Sequence, residues 1–452
     1  MTSIWWIRRD LRLHDNLTLH AALAHGAVVP LFVIDPHFEL VSNRRRGFLV
    51  NNLHALNADL QARGSRLFVR SGAPAAVLHQ VMAETGASRV FAEEDFTPYA
   101  RSRDDRLQAD LPIRLIQGQI VHHPLAISKP DGTPYTVYTP FSKTWKGLLP
   151  PDLRPVQVPE RIPTPASIPS ESLPEYPPEP NFPTGESEAL HRLEDFLSRQ
   201  QGIFRYDEDR NRMDLDGTSS LSPYLHLGVL GLRTAVYHAL QSIQHAPDKS
   251  AHKSATTWLN ELIWREFYIH ILYHFPHVRG GSFRPEYDGI RWHNDPIDFE
   301  AWTEGRTGYP VVDAAMRQLL ATGWMHNRAR MITASFLVKD LLIDWRRGER
   351  WFMQNLLDAD LAANNGGWQW TAGTGTDAAP YFRIFNPILQ SKKFDPNGDY
   401  IRRWVPELAG LSPSEIHAPW ERVGAVPGYP EPVVDHQFAR ERTLAAYRTV
   451  KG

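Results

Sequence analysis

The chain of 452 residues contains no cysteine. That absence removes disulfides, thiolate zinc sites, iron–sulfur clusters and thiol nucleophiles together. It also makes a reducing cytoplasm the expected compartment. No window of about 18 residues is both apolar and free of charge, so no transmembrane helix is expected. Met1 to Asp10 lack a basic stretch followed by a long apolar run, so no secretory signal is expected there. Neither sign of charge dominates. The 49 Lys+Arg and 51 Asp+Glu leave a net −2, so an anionic partner must meet a local basic patch. Both common phosphate fingerprints, GxGxxG and GxxxxGK[ST], are missing.

What is present divides the chain. Residues 1–125 alternate short apolar runs with helical spacing. Ile4–Ile7, Val28–Ile34, Arg66–Val69 and Arg89–Ala92 read as buried strands. Phe48, Leu49, Leu53, Leu56 and Leu60, then Val77, Leu78 and Val81, recur as helix faces. Strands alternating with helices predict an α/β, Rossmann-like layer with a parallel sheet. Residues 126–184 read as a linker. Its stretch Pro150–Pro183 holds 12 of the 36 prolines, a density that excludes helix interiors and central strands. Residues 185–452 read as all-α, with helical patterns near 222–245, 252–275, 308–322, 324–343 and 347–360. Eleven of the 14 tryptophans fall between Trp258 and Trp420. Any one of them is first a packing residue, but the crowding also suits a planar ligand, base stacking or electron transfer.

Four segments carry polar chemistry. Gly217–Pro223 places hydroxyls before a proline. Ser222 reads as a helix N-cap with Pro223 at the first helical position, either a plain cap or a phosphate cradle. On a helix, Trp258, Glu261 and Arg265 share a face and Trp264 follows three residues after Glu261; Glu261 and Arg265 also suit a simple i,i+4 ion pair. In Gly323–Met331, Asn327, Arg330 and Met331 share a face. The window 317–350 carries seven Lys/Arg against three Asp/Glu, as a phosphate-contacting surface or a solvated face. Asp358–Trp370 packs acids, amides, glycines and indoles into thirteen residues. Gly366-Gly367 there read as a bend that lets a ligand approach, or as a plain turn. His270 and His274 have metal-ligand spacing, but no HExxH context accompanies them.

Together these segments resemble the photolyase/cryptochrome family, nearest to bacterial class I cyclobutane pyrimidine dimer photolyases. The resemblance runs through Trp6–Asn16, Gly308–Arg317 and, most strongly, Gly323–Pro387. It implies an N-terminal antenna-binding α/β domain and a helical domain that holds FAD and DNA. Tyr206 with Thr218, Ser219, Ser220, Leu221 and Ser222 would hold the phosphate end of FAD, Ser220 standing where the family varies. Trp258, Arg265, Arg330, Asp358 and Asp360 would line the rest of its cavity, and Asn364 would face the central-ring nitrogen. Glu261, Trp264, Asn327, Arg328, Met331, Trp370 and Gln390 would contact the flipped dimer and its DNA. Trp368, Trp345 and Trp292 match the family's electron-carrying tryptophan chain.

The implied activity is light-dependent repair of pyrimidine dimers in ultraviolet-damaged DNA by a cytoplasmic monomer. A second antenna chromophore (folate, deazaflavin or flavin) is implied without its identity; Asn43–Phe48 is expected beside it. The alternative within the family is a cryptochrome-type blue-light receptor with the same flavin and no repair. The Asn at 364, and a chain that ends soon after Gly428-Tyr429-Pro430, favour repair. Without the resemblance, a nucleotide-binding hydrolase with a helical lid also fits, and it predicts no visible chromophore.

Overall fold

The computed structural model describes residues 1–36, 42–165, 168–200, 202–422 and 424–450. Its contacts group into two compact units. Residues 1–135, 139–207 and 219–274 form the first; residues 136–138, 208–218 and 275–452 form the second.

The first unit is built on five parallel strands, β1 (Thr2–Ile7), β2 (Ala27–Ile34), β3 (Phe68–Ser71), β4 (Arg89–Glu93) and β5 (Ile113–Ile116), in the order β3-β2-β1-β4-β5. Helices α1 (Leu17–His25), α2 (Asn43–Gln61), α3 (Pro74–Thr85) and α4 (Pro98–Asp110) alternate with them. The α/β expectation therefore holds. β1 and β2 are almost wholly buried, as strands covered on both faces must be, and so read as continuous apolar runs. Pro30 is tolerated in β2 because the ladder to β3 begins only at Leu31, leaving Pro30 paired to β1 alone. The edge strand β5 escapes a sequence reading: it is four residues long, carries Arg114 and is only half-buried.

The proline-rich stretch forms no helix or strand in its described part, but it is no free spacer. Asp15 N–H donates to Val156 O and Val156 N–H to Asp15 Oδ1, Ile162 N–H donates to Arg63 O, Val28 N–H to Pro163 O and Glu171 N–H to Val69 O. Residues 126–184 also include a helix, α5 (Tyr138–Gly147), whose Phe141 and Trp145 are buried. Helices α6 (Glu186–Ser198) and α7 (Tyr206–Asp209) follow.

The expected helix near 222–245 is two, α8 (Ser222–Leu227) and α9 (Leu232–Gln244), parted at Gly228. Gly228 has φ +66, and a Cβ there would lie 1.7 Å from Arg9 O, so only glycine fits. With α10 (Lys249–His274) these helices group with the sheet rather than with the later helices. The reason is a buried ion network. Arg12 pairs with Glu93 at 3.1 Å and donates to Gly228 O, while Asp15 meets Arg233 and Thr234.

The second unit is helical. It contains α11 (Pro296–Glu304), α12 (Pro310–Thr322), α13 (Asn327–Ser335), α14 (Trp345–Asn355), α15 (Leu361–Ala372), α16 (Pro387–Phe394), α17 (Asp399–Trp404) and α18 (His436–Arg448). One apolar cluster gathers Trp302, Met316, Phe336, Trp345, Phe352 and Trp368, with Trp292 packed against it. The helix expected through 343 leaves α geometry at Phe336, where a π turn runs to Asp340. That turn is pinned by long-range bonds: Lys339 Nζ donates to Ala372 O and Asp340 meets His436. No helix among the described residues is long and apolar enough to cross a membrane.

Candidate functional site

The residues expected at the site are divided between the two units, and each group is described within its own.

In the first unit, α10 presents Trp258, Glu261, Trp264 and Arg265. Trp258 is buried and packs on Phe196 at 5.1 Å, which in turn meets Tyr206 edge-on at 6.0 Å. The structure thus brings Tyr206 and Trp258 together across Phe196. Glu261, Trp264 and Arg265 are half-buried. Trp264 lies against Phe267 and Tyr268, each at 5.5 Å, and Arg265 reaches Leu225 O at 3.5 Å. The face that begins with Trp258 is therefore partly open, with a carboxylate, a guanidinium and an indole on it.

The Ser222 cap is corrected. Ser222 is the first helical residue of α8, Leu221 is its N-cap, and no side-chain cap bond forms. Leu221 lies in the helical region at φ −87, where an N-cap normally takes extended backbone. α8 spans only six residues, too short for a substantial dipole. Ser219, Ser220 and Ser222 are half-buried, as is Thr218, which falls in the second unit. Ser220 adopts φ +48, a left-handed conformation uncommon outside glycine.

In the second unit, the Gly366-Gly367 bend is also corrected. Both glycines lie inside α15, because Asp360 starts the helix by accepting from Ala362 N and Ala363 N. Asp360 is thus a buried N-cap. Two residues earlier, Asp358 Oδ2 accepts from Arg330 at 2.8 Å. Asp358 Oδ1 is buried without a partner among the described residues. A buried, unmatched carboxylate oxygen is costly unless a donor arrives. Asn364 Nδ2 donates to Glu349 O at 3.1 Å. Its amide is thereby oriented with the oxygen as the other end.

Asn327, Arg330 and Met331 share one face of α13, Asn327 exposed and the other two half-buried. Buried His326 caps that helix, its Nδ1 accepting from Arg328 N. Burial, then the charges of Arg328 and Arg330, push His326 down to about 4. Arg328 bonds Asn211 and lies over Phe394. Burial and neighbouring Arg210 lower its pKa to about 10. Gln390, on α16, is half-buried beside exposed Leu389, and Trp370 is half-buried on α15. Trp345 and Trp368 are buried in the same cluster that Trp292 borders. Trp368 packs edge-on against Phe352 at 5.0 Å and Trp302 at 6.1 Å.

The basic window 317–350 is not an open cationic surface. Arg317, Arg330 and Arg346 are ion-paired with Glu407, Asp358 and Asp288. Arg347 donates to Asn294 O and Lys339 is buried. Its excess charge is largely spent inside the fold.

Two carboxylates went unread. Glu266, on the buried side of α10, accepts from Val121 N, His122 N and Trp145 Nε1 at 2.6–3.3 Å. Burial lifts it to about 7 against those donors. Its sequence signal is an acid on an apolar helix face. Glu349 accepts from Asn365 Nδ2 at 2.9 Å and is raised by burial; no local pattern announces it. The expected helical histidine pair is present, with rings 4.5 Å apart, and burial holds His270 near 4.

Comparisons with known proteins bear on all of this. Residues 258–449 match the family described as FAD binding domain of DNA photolyase, and residues 3–165 that described as DNA photolyase. The chain is 41% identical to deoxyribodipyrimidine photo-lyases of Agrobacterium fabrum and Escherichia coli. These matches cover 99% and 100% of this chain and 98% and 99% of the relatives. Among solved structures, a bacterial class III photolyase from Agrobacterium tumefaciens superposes with TM-score 0.92 at 40% identity, over 100% of this chain and 98% of that one. An archaeal photolyase from Sulfolobus tokodaii with two FAD molecules gives 0.85 at 33%, over 99% and 100%. A Synechocystis cryptochrome gives 0.87 at 29%, over 98% and 99%.

Proposed function

The chain belongs to the DNA photolyase family, and from that premise we propose that it repairs cyclobutane pyrimidine dimers in DNA with light, using FAD. The observation that carries the flavin reading is Asp358. Its Oδ2 is held by Arg330, and its buried Oδ1 has no donor among the described residues. FAD, with ribityl hydroxyls and ring N–H groups, is a ligand rich in such donors, so the residues present fit it. When bound and reduced, FAD supplies on illumination the electron that splits the dimer.

The residue roles follow the family pattern. Tyr206, Thr218, Ser219, Ser220, Leu221 and Ser222 serve the phosphate end; Trp258, Arg265, Arg330, Asp358 and Asp360 serve the remainder. Asn364 keeps its oxygen available as an acceptor, since its nitrogen is bound to Glu349 O. Glu261 hydrogen-bonds the dimer, and Trp264 and Trp370 stack on it. As for photolyases and other base-extruding enzymes, a damaged base costs less to flip than an intact one. Stacking on an indole contributes about 1–3 kcal/mol per base. Asn327, Arg328, Met331 and Gln390 hold the surrounding DNA, Arg328 being held by the side-chain amide of Asn211 rather than by a carboxylate.

Trp368, Trp345 and Trp292 feed electrons inward to restore the reduced cofactor. We further infer a cytoplasmic monomer. A second chromophore is compatible with the fold, as the archaeal relative described with two FAD molecules illustrates.

The test is repair of irradiated oligo(dT) by the reduced protein, in light and in darkness. Dimer loss only in light is expected. Flavin photoreduction with no dimer loss would instead favour the cryptochrome reading.

A further inference from the structure

The stretch Trp6–Asn16, where the family resemblance begins, supplies none of the site residues. It forms the loop from β1 to α1, and it grips α8. A helix leaves its last four carbonyls without partners of their own. In α8 these belong to Leu225, His226, Leu227 and Gly228, and each meets a donor from elsewhere. Arg265 of α10 reaches Leu225 O at 3.5 Å and Arg9 Nε donates to His226 O at 3.0 Å. Leu11 N–H lies 3.5 Å from Leu227 O, and Arg12 donates to Gly228 O at 3.0 Å. Three of these four donors come from the one loop.

Arg12 is itself firmly anchored. It is buried, donates to Asp15 O at 3.2 Å and pairs with Glu93 at 3.1 Å. Glu93 ends β4, and the strand order reverses between β1 and β4. A doubly wound sheet commonly receives a ligand there, just outside the strand ends. Here the α8–α9 corner presses on that place, because a Cβ on Gly228 would lie 1.7 Å from Arg9 O.

Alone, α8 cannot hold its position. Six residues make less than two turns, and so short a helix is not stable by itself. Its first turn has no side-chain cap. Ser222 opens this helix, with Ser219, Ser220 and Leu221 leading into it, so a shift at Gly228 carries them along.

We propose that Arg9 and Arg12 are positioning residues for FAD: by clamping the C-terminal end of α8 to the sheet, they place Ser219 to Ser222 for the phosphate end. Neither arginine touches the cofactor in this role. The inference rests on reading those four residues as the phosphate end.

FAD-loaded variants test it through flavin release on dilution and phosphorus NMR of the bound diphosphate. Arg12→Lys keeps a cation beside Glu93 but loses the planar fork that serves Gly228 O, Asp15 O and Glu93 together. FAD should leave it at least about tenfold faster, as for one lost charged hydrogen bond, and the phosphorus resonances should move. Arg9→Ala, at the more exposed clamp, should move them too, and it carries the test if Arg12→Lys does not fold.

Arg8→Lys is the control. Arg8 lies in the same loop with its side chain 8% exposed, and pairs with Asp104 of α4 at 2.7 Å. Its listed partners, Asp104 and Glu93 O, lie off α8. Arg8→Lys should hold FAD as the wild type does, with unmoved resonances, even where its unfolding midpoint falls. Resonances moved as far in Arg8→Lys would mean general loosening and overturn the inference. So would wild-type release and resonances in Arg12→Lys or Arg9→Ala while Ser222→Ala shows a change. If Ser222→Ala also changes nothing, the reading of α8 as the phosphate end fails, and the inference with it.

Discussion

The buried indoles of the two units are satisfied differently. In the first unit, Trp5 Nε1 donates to Asp10 at 2.7 Å and Trp145 Nε1 to Glu266 at 2.6 Å. In the second, Trp345 and Trp368 bury their Nε1–H groups with no acceptor among the described residues, although Trp302 beside them reaches Thr333 O. A buried donor without a partner costs about 1–3 kcal/mol and needs a reason. Electron transfer supplies one. An oxidised indole is a strong acid, and a carboxylate at its nitrogen would take the proton and trap the hole. An indole walled by hydrocarbon keeps its proton, so the charge stays free to move on. Trp351 and Trp404 also bury an Nε1–H without a partner among the described residues, so a missing acceptor suits the conduction proposed for Trp345 and Trp368 without by itself marking it. On the acceptor side, Asp358 Oδ1 is likewise buried without a partner among the described residues, which fits the flavin contact proposed for it.

That contrast can be broken or sharpened. The largest effect is expected at Asp358→Ala, which strands Arg330 and removes the oxygen offered to the flavin. Breaking a buried pair costs about 3 kcal/mol or more. Flavin absorbance per protein after purification should fall severely; retained flavin would detach Asp358 from the cofactor. Next is Trp145→Phe, which leaves Glu266 Oε2 with only the 3.3 Å bond from His122 N. Denaturant unfolding should show a loss of about 1–3 kcal/mol, while flavin photoreduction keeps its rate. Gly348→Ala acts on the other side. A Cβ there would lie 2.2 Å from the Trp368 ring and 2.5 Å from Leu337. Overpacking of this kind costs about 1–3 kcal/mol, and here it should also slow photoreduction, because the displaced group is Trp368.

The smallest effect concerns pH. His326 titrates near 6.5 when unfolded and is held down to about 4 by burial when folded. The unfolded chain takes up the proton first, so stability is full above 6.5 and falls as pH drops toward 4. His326→Asn, which keeps an N-cap for α13, should flatten melting temperature over that interval by roughly a few degrees.

The parallel layer was legible because both faces of β1 and β2 are covered, which leaves continuous apolar runs. β5 was not, being short, charged and at an edge. Gly366-Gly367 looked like a bend because propensity alone disfavours two glycines in a helix. The Asp360 cap and burial on α15 override it. Glu266 shows in the sequence only as an acid on an apolar helix face, and Glu349 not at all, because their partners are distant in sequence or set by tertiary packing. The excess charge of 317–350 suggested an open surface because the acids that absorb it, Asp288, Asp358 and Glu407, lie outside that window. The roles of Trp345 and Trp292 came from family likeness alone, since nothing local separates a conducting tryptophan from a packing one.

The most direct test of the distinction between the indoles compares Trp368→Phe with Trp5→Phe. Both variants are loaded with oxidised FAD and illuminated with blue light in the presence of an external reductant. Photoreduction should be nearly abolished in Trp368→Phe and should keep the wild-type rate in Trp5→Phe. Equal rates in the two variants would contradict the account.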